Sequence, residues 1–138
     1  MTFGDFGSIE MQMLWLSVAL GLVQLVLVVV SSGLARRTNW ALGARDEAGP
    51  PFGKVGARLD RALSNAVQSF AFFAAAVLIA NTLNRHTQLS ELGAQIYFWA
   101  RVAYVPLYAA GIPVVRTLVW TVGIAVIVMV MLAVYPGM

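Results

Sequence analysis

From Met11 to Ala35 the chain carries no charged side chain, and the same holds from Ala62 to Asn84 and from Thr117 to Met138; between Leu92 and Val115 the only charge is Arg101. An α-helix needs about 20 apolar residues to cross the roughly 30 Å hydrocarbon core of a bilayer. Four such runs in 138 residues leave no room for a separate soluble domain. A composition of 60% hydrophobic and 11% charged residues, with a mean hydropathy of +0.81, lies outside the soluble range and supports the same reading. The expected fold is all-α: an integral membrane four-helix bundle forming one domain over residues 1–138, with helices at roughly 10–35, 61–84, 92–112 and 115–135. Barrel strands would alternate in polarity and break about every ten residues, and these runs do neither. The first run is too long for a signal peptide, has no basic segment before it and follows Asp5 and Glu10, so it reads as a mature helix.

The basic residues set an expected orientation. Arg36, Arg37, Arg45, Lys54, Arg58 and Arg61 all fall between the first two runs, whereas neither end of the chain is basic. By the positive-inside rule the 36–61 loop faces the cytosol, and counting spans puts both termini and the Asn84–Glu91 turn on the opposite side. The loop is rich in Gly, contains Pro50-Pro51 and reads as irregular as far as Arg58; "GPPFGKVG" lacks phosphate-loop spacing. The halves do not repeat, which argues against a repeat-built transporter, and no carboxylate relay accompanies Arg101 as a channel or pump would require. No partnership with nucleic acid is indicated.

With no cysteine in the chain there is no thiol nucleophile and no thiolate metal site; His86, the one histidine, reads as a solvated turn residue, and no metal is expected. Any sulfur chemistry would need a thiol from a bound molecule.

The polar residues inside the runs are ordered. Tyr97, Arg101, Tyr104 and Tyr108 recur at i, i+4, i+7 and i+11, one side of a helix. Arg61, Asn65 and Gln68 recur at i, i+4 and i+7 in the second run, with Arg58 a turn earlier and Ser64 beside them. Because these two helices run antiparallel, the stripes meet in the cytosolic third of the bundle, where Arg116 opens the fourth helix. No Asp or Glu occurs at these depths, so an anionic ligand would supply the missing countercharge. A competing reading places Arg58, Arg61 and Arg116 against lipid phosphates, as positive-inside arginines commonly are. Arg101 lies roughly 15 Å from the cytosolic helix end, where solvation is costly, and needs an interior role. For Tyr97 packing is the expected role, and Pro106 is expected to kink its helix.

Together "RALSNAVQSF" and "ARVAYVPLYAAGIPVVRTLVW" resemble the MAPEG family, the membrane-associated proteins in eicosanoid and glutathione metabolism. That family typically carries R-x-x-x-N-x-x-E on its second helix and R-x-x-[YH]-x-x-x-Y on its third, then an arginine at the start of the fourth. Arg61 and Asn65, then Arg101, Tyr104 and Tyr108, then Arg116 stand at those places. The resemblance implies a homotrimer binding glutathione as co-substrate at each subunit interface, open to the cytosol. Arg58, Arg61, Asn65, Gln68, Tyr104 and Tyr108 would bind the tripeptide, Arg116 would be catalytic by stabilising its thiolate, and Arg101, Ser64, Thr117 and Trp120 would support the site. The implied activity is a glutathione-dependent transferase or peroxidase acting on a lipophilic electrophile or hydroperoxide that arrives through membrane lipid. The sequence departs from the pattern where Gln68 replaces the usual glutamate, Ser64 an arginine found in some members, and Thr117 and Trp120 the hydroxyl-bearing residues of some catalytic members. The family also contains non-enzymatic lipid-binding proteins, so a trimeric lipid-binding or scaffold protein of the same fold is the alternative.

Overall fold

A computed structural model describes residues 7–35, 43–44, 46 and 53–135, apart from the side chains at 33–35, 113, 115 and 116. Four helices follow one another: α1 (Ile9–Ala35), α2 (Lys54–Thr82), α3 (Gln88–Ala110) and α4 (Pro113–Val134). The loop residues Arg36, Arg37, Arg45 and Pro50-Pro51 lie outside the described residues.

Two starts come at least four residues earlier than the apolar runs suggest. α2 begins at Lys54, because its first turns carry the chain outward as a helix with a polar side before the apolar part begins. α3 begins at Gln88, where Thr87 and Ser90 form a reciprocal cap: the Ser90 backbone N–H donates to Thr87 Oγ1 (3.1 Å) and the Thr87 backbone N–H donates to Ser90 Oγ (3.0 Å). A capping pair of this kind satisfies two of the donors that every helix start leaves open.

Among the described residues three helices are individually long and apolar enough to span a membrane: α1, α2 and the Thr117–Val134 part of α4. The expectation of four such segments is corrected at α3. Its mean hydropathy is lowered by the polar groups it turns inward, for Ser90, Tyr97, Arg101, Tyr104 and Tyr108 are all buried. Its polarity is matched within the bundle while its neighbours carry the lipid-compatible surface; Leu22, Phe72 and Leu118 are examples of large side chains left facing outward.

The core holds Phe73 and Val77 of α2, Ala94 and Tyr97 of α3, and Val126 and Ile127 of α4. Phe73 and Tyr97 stack with ring centroids 3.9 Å apart, so Tyr97 has the packing role its position suggested. α3 packs tightly on α4 at Gly93, where a Cβ would stand 2.7 Å from Val130 Cγ2. Small residues at such crossings matter in membrane bundles because packing, rather than exclusion from water, holds the helices together.

Both ends of the bundle are tied by polar contacts. At one end Glu10 of α1 is fully buried and accepts a hydrogen bond from Ser90 Oγ, and His86 Nδ1 lies 3.3 Å from Glu10 Oε2. His86 is thus paired rather than simply solvated, because the start of α1 reaches the α2–α3 turn. The N-terminal end of α3 favours a carboxylate at this place. At the other end α3 stops at Gly111, whose φ of +82° lets Gly111 N–H reach Tyr108 O and Ile112 N–H reach Leu107 O. This is a Schellman closure, and Pro113 then starts α4 where its missing N–H costs nothing. Arg58 Nη1 donates to Ala109 O at 3.1 Å, adding a cation to the carbonyl end of α3.

Two substitutions test this packing by equilibrium unfolding in mixed detergent micelles. Gly93→Leu should lower stability by about 1–3 kcal/mol through overpacking against Val130. Arg58→Ala should lower it by about 0.5–1.5 kcal/mol through loss of the α3 cap; an unchanged midpoint would refute the capping role.

Candidate functional site

The two polar stripes meet across a cleft of about 370 Å³. α2 contributes Arg61, Ser64, Asn65 and Gln68, α3 contributes Tyr104 and Tyr108, and α4 contributes Thr117 and Trp120. The convergence follows from helix geometry: 61, 65 and 68 project from one side of α2, and 104 and 108 are one turn apart on α3. Tyr104 and Tyr108 are buried against Ala62, with Val119 of α4 packed beside them, and their rings meet at 5.3 Å with a 52° tilt. Gln68, Ser64, Thr117 and Trp120 are exposed and form the open side.

Behind this cleft sits Arg101, only 3% exposed. Its Nη1 donates to Asn65 Oδ1 at 3.1 Å, and its Nη2 donates to Ser69 Oγ. Ser69 in turn donates to Ala66 O (3.1 Å), while Tyr97 OH lies 3.1 Å from Ser69 Oγ. The rings of Tyr97 and Tyr104 flank the guanidinium carbon, each centroid 5.4 Å away. On α4 a Cβ at Gly123 would come within 3.2 Å of Arg101 Nη2, so the glycine leaves space for the head group. Arg101 is thus held by neutral oxygens and ring faces; the contact of His86 with the Glu10 carboxylate lies at the far end of the bundle.

Of the expected site residues, Arg61, Ser64, Asn65, Gln68, Tyr104, Tyr108, Thr117 and Trp120 share the cleft lining. Arg101 is not on that lining but donates to Asn65, which is. Arg58 departs from its expected place among the ligand-binding residues, since its guanidinium lies over Gly111 and caps α3. The carbonyls of a helix end attract the cation, and the missing side chain at Gly111 lets it approach. Arg116 lies in the first turn of α4, but its side chain falls outside the described residues. Ser69 and Gly123 were not singled out from sequence. Ser69 continues the 61, 65 series at i+8 and could have been found there, whereas Gly123 gives no signal within an apolar helix.

No curated protein and no solved structure matches the chain. The MAPEG family model matches residues 13–135, which include the cleft and nearly all of the four helices. Three apolar spans and this match make the chain an integral membrane protein with a four-helix bundle fold, and the chain belongs to the MAPEG family.

Proposed function

We propose that this chain is a membrane-embedded glutathione-dependent transferase or peroxidase, with the α2–α3–α4 cleft holding the tripeptide. The family includes glutathione transferases and peroxidases as well as non-catalytic members. One observation carries the choice: Arg61, two tyrosines, Asn65, Gln68 and Ser64 converge on one cleft with no carboxylate among its described lining residues. Such a lining suits a flexible anion, because the guanidinium can grip a carboxylate while the amides and hydroxyls satisfy peptide groups. The cleft of about 370 Å³ is open on the side where Ser64, Gln68, Thr117 and Trp120 are exposed. A neighbouring subunit of a homotrimer would complete it. By the positive-inside rule the cleft opens to the cytosol, with both termini on the opposite side.

The chemistry proposed is activation of the thiol. Arg116 favours the charged form of the bound sulfur and so raises the share of thiolate at neutral pH. In the transferase reaction the thiolate forms a C–S bond to an electrophilic carbon as the bond to the leaving group breaks. In the peroxidase reaction the sulfur attacks the distal peroxide oxygen, the O–O bond breaks and the alkoxide takes a proton. A second glutathione then displaces hydroxide from the sulfur, giving the disulfide and water. The lipophilic acceptor reaches the site through surrounding membrane lipid.

Gln68 favours a second reading. A neutral amide there can accept and donate hydrogen bonds but cannot pair with a ligand ammonium, which suits a non-catalytic lipid-binding or scaffold role.

Calorimetry with glutathione on the detergent-solubilised protein, with thiolate ultraviolet absorbance in parallel, separates the two. Arg61→Ala should weaken binding about tenfold or more, the value of a lost charge-assisted hydrogen bond. Arg116→Ala should retain binding, lose the thiolate absorbance and lower kcat with an aryl halide or alkyl hydroperoxide by about a hundredfold. Full turnover by Arg116→Ala would remove its assigned role. Absence of binding by an intact oligomer would favour the non-catalytic reading.

A further inference from the structure

A second cavity, of about 250 Å³, lies between α1 and α2 and shares no lining residue with the cleft. Its walls are mostly aliphatic and aromatic, with Leu25 of α1 and Leu63 and Phe70 of α2 among them, and Arg101 of α3 also reaches it. Gln24, near the middle of α1, stands on the same wall. This side chain is 4% exposed, and its Oε1 is buried without a hydrogen-bond partner.

An unmatched amide oxygen at this depth is costly, since lipid tails cannot donate a hydrogen bond and the bilayer core offers little water. Several other polar groups on the lining have partners, Tyr97 OH with Ser69 Oγ at 3.1 Å among them. Ser17 Oγ donates to Met13 O at 2.7 Å, and both terminal nitrogens of Arg101 donate within the bundle. The cavity therefore lacks one hydrogen-bond donor in a setting that is otherwise apolar.

We propose that the α1–α2 cavity binds a neutral lipophile carrying a hydroxyl group, whose O–H donates to Gln24 Oε1. The volume lies just below the roughly 300–1,000 Å³ of sites for drug-sized molecules, so the occupant is a single chain or ring system rather than a two-chain phospholipid. A carboxylate would bring only further acceptors to the Gln24 acceptor, while the Arg101 charge on the same lining would attract it; a carboxylate probe measures which effect wins. The site is independent of glutathione binding in the cleft.

Photolabelling tests the assignment. The whole protein in phosphatidylcholine nanodiscs is exposed to three diazirine probes with the same sixteen-carbon chain (about the length of one leaflet's acyl layer), ending in a hydroxyl, a methyl ether or a carboxylate. Labelled peptides are then mapped. The alcohol should label α1 around Gln24 and α2 from Leu63 to Phe70, and unlabelled alcohol should compete. The ether, with no donor, should label these segments about tenfold less, corresponding to one hydrogen bond. In Gln24→Leu the alcohol and ether should label equally; if that variant does not fold, the wild-type ratio decides alone. Equal labelling by ether and alcohol in the wild type, stronger labelling by the carboxylate, or no labelling of these segments would overturn the proposal. A chain-to-chain disulfide in Gln24→Cys would also overturn it, because the cavity would then be filled by a second copy; the natural sequence has no cysteine to confuse that result.

Discussion

The arrangement of this bundle depends on how a guanidinium is held inside it. Arg101 is 3% exposed on a helix whose neighbours face lipid. A charge at that depth persists only where the surrounding protein replaces its hydration. Asn65 and Ser69 of α2 supply oxygens, Tyr97 and Tyr104 of α3 supply ring faces, and Gly123 of α4 supplies space. These contacts fix three helices in one register. They also orient Asn65, which lines the cleft, so the same interaction sets both the fold and one wall of the site.

The lateral layout was legible because it rests on short-range periodicity. Uncharged runs give the helices, and i, i+4, i+7 spacing places Arg61, Asn65 and Gln68 on one side of α2 whatever the tertiary structure. Contacts between elements were not legible. Arg58 looked like another ligand arginine, since nothing local reveals that it meets a carbonyl 51 positions later. His86 looked solitary because its partner Glu10 is 76 positions away. The start of α2 was hidden by Gly and Pro in the preceding loop, which marked the loop well but obscured where it ends. The shortfall of α3 as an independent span has the same origin, because its buried polar groups are intelligible only with their partners in place.

Apolar surface does little to specify this fold. Two lipid-facing leucines can exchange places at little cost, whereas a buried polar group has few acceptable positions. Among the described residues the bundle has four long-range polar links: Glu10 with Ser90 and His86 and Arg85 with the Tyr135 carbonyl at one end, Arg101 with Asn65 and Ser69 within, and Arg58 with the end of α3 at the other. Three of them tie α1, α2 and α3 together; the fourth reaches the C-terminal end of α4, which also approaches α3 closely at Gly93 and leaves room at its own Gly123 for Arg101. Gln24 stands apart from this scheme, buried like the others but with an oxygen left unmatched.

The electrostatic consequence reaches the cleft. Arg61 stands on its lining and Arg101 behind Asn65, with no carboxylate among the described lining residues. Charges interact more strongly in a low-dielectric surround than in water, so an anion entering the cleft is attracted by Arg101 without touching it. Gln68 keeps this field intact, since a glutamate in its place would cancel part of it. The neutral side chain weakens the case for gripping an ammonium and strengthens the case for gripping an anion. For a thiol that must react as a thiolate, a cleft of net positive potential acts in the required direction.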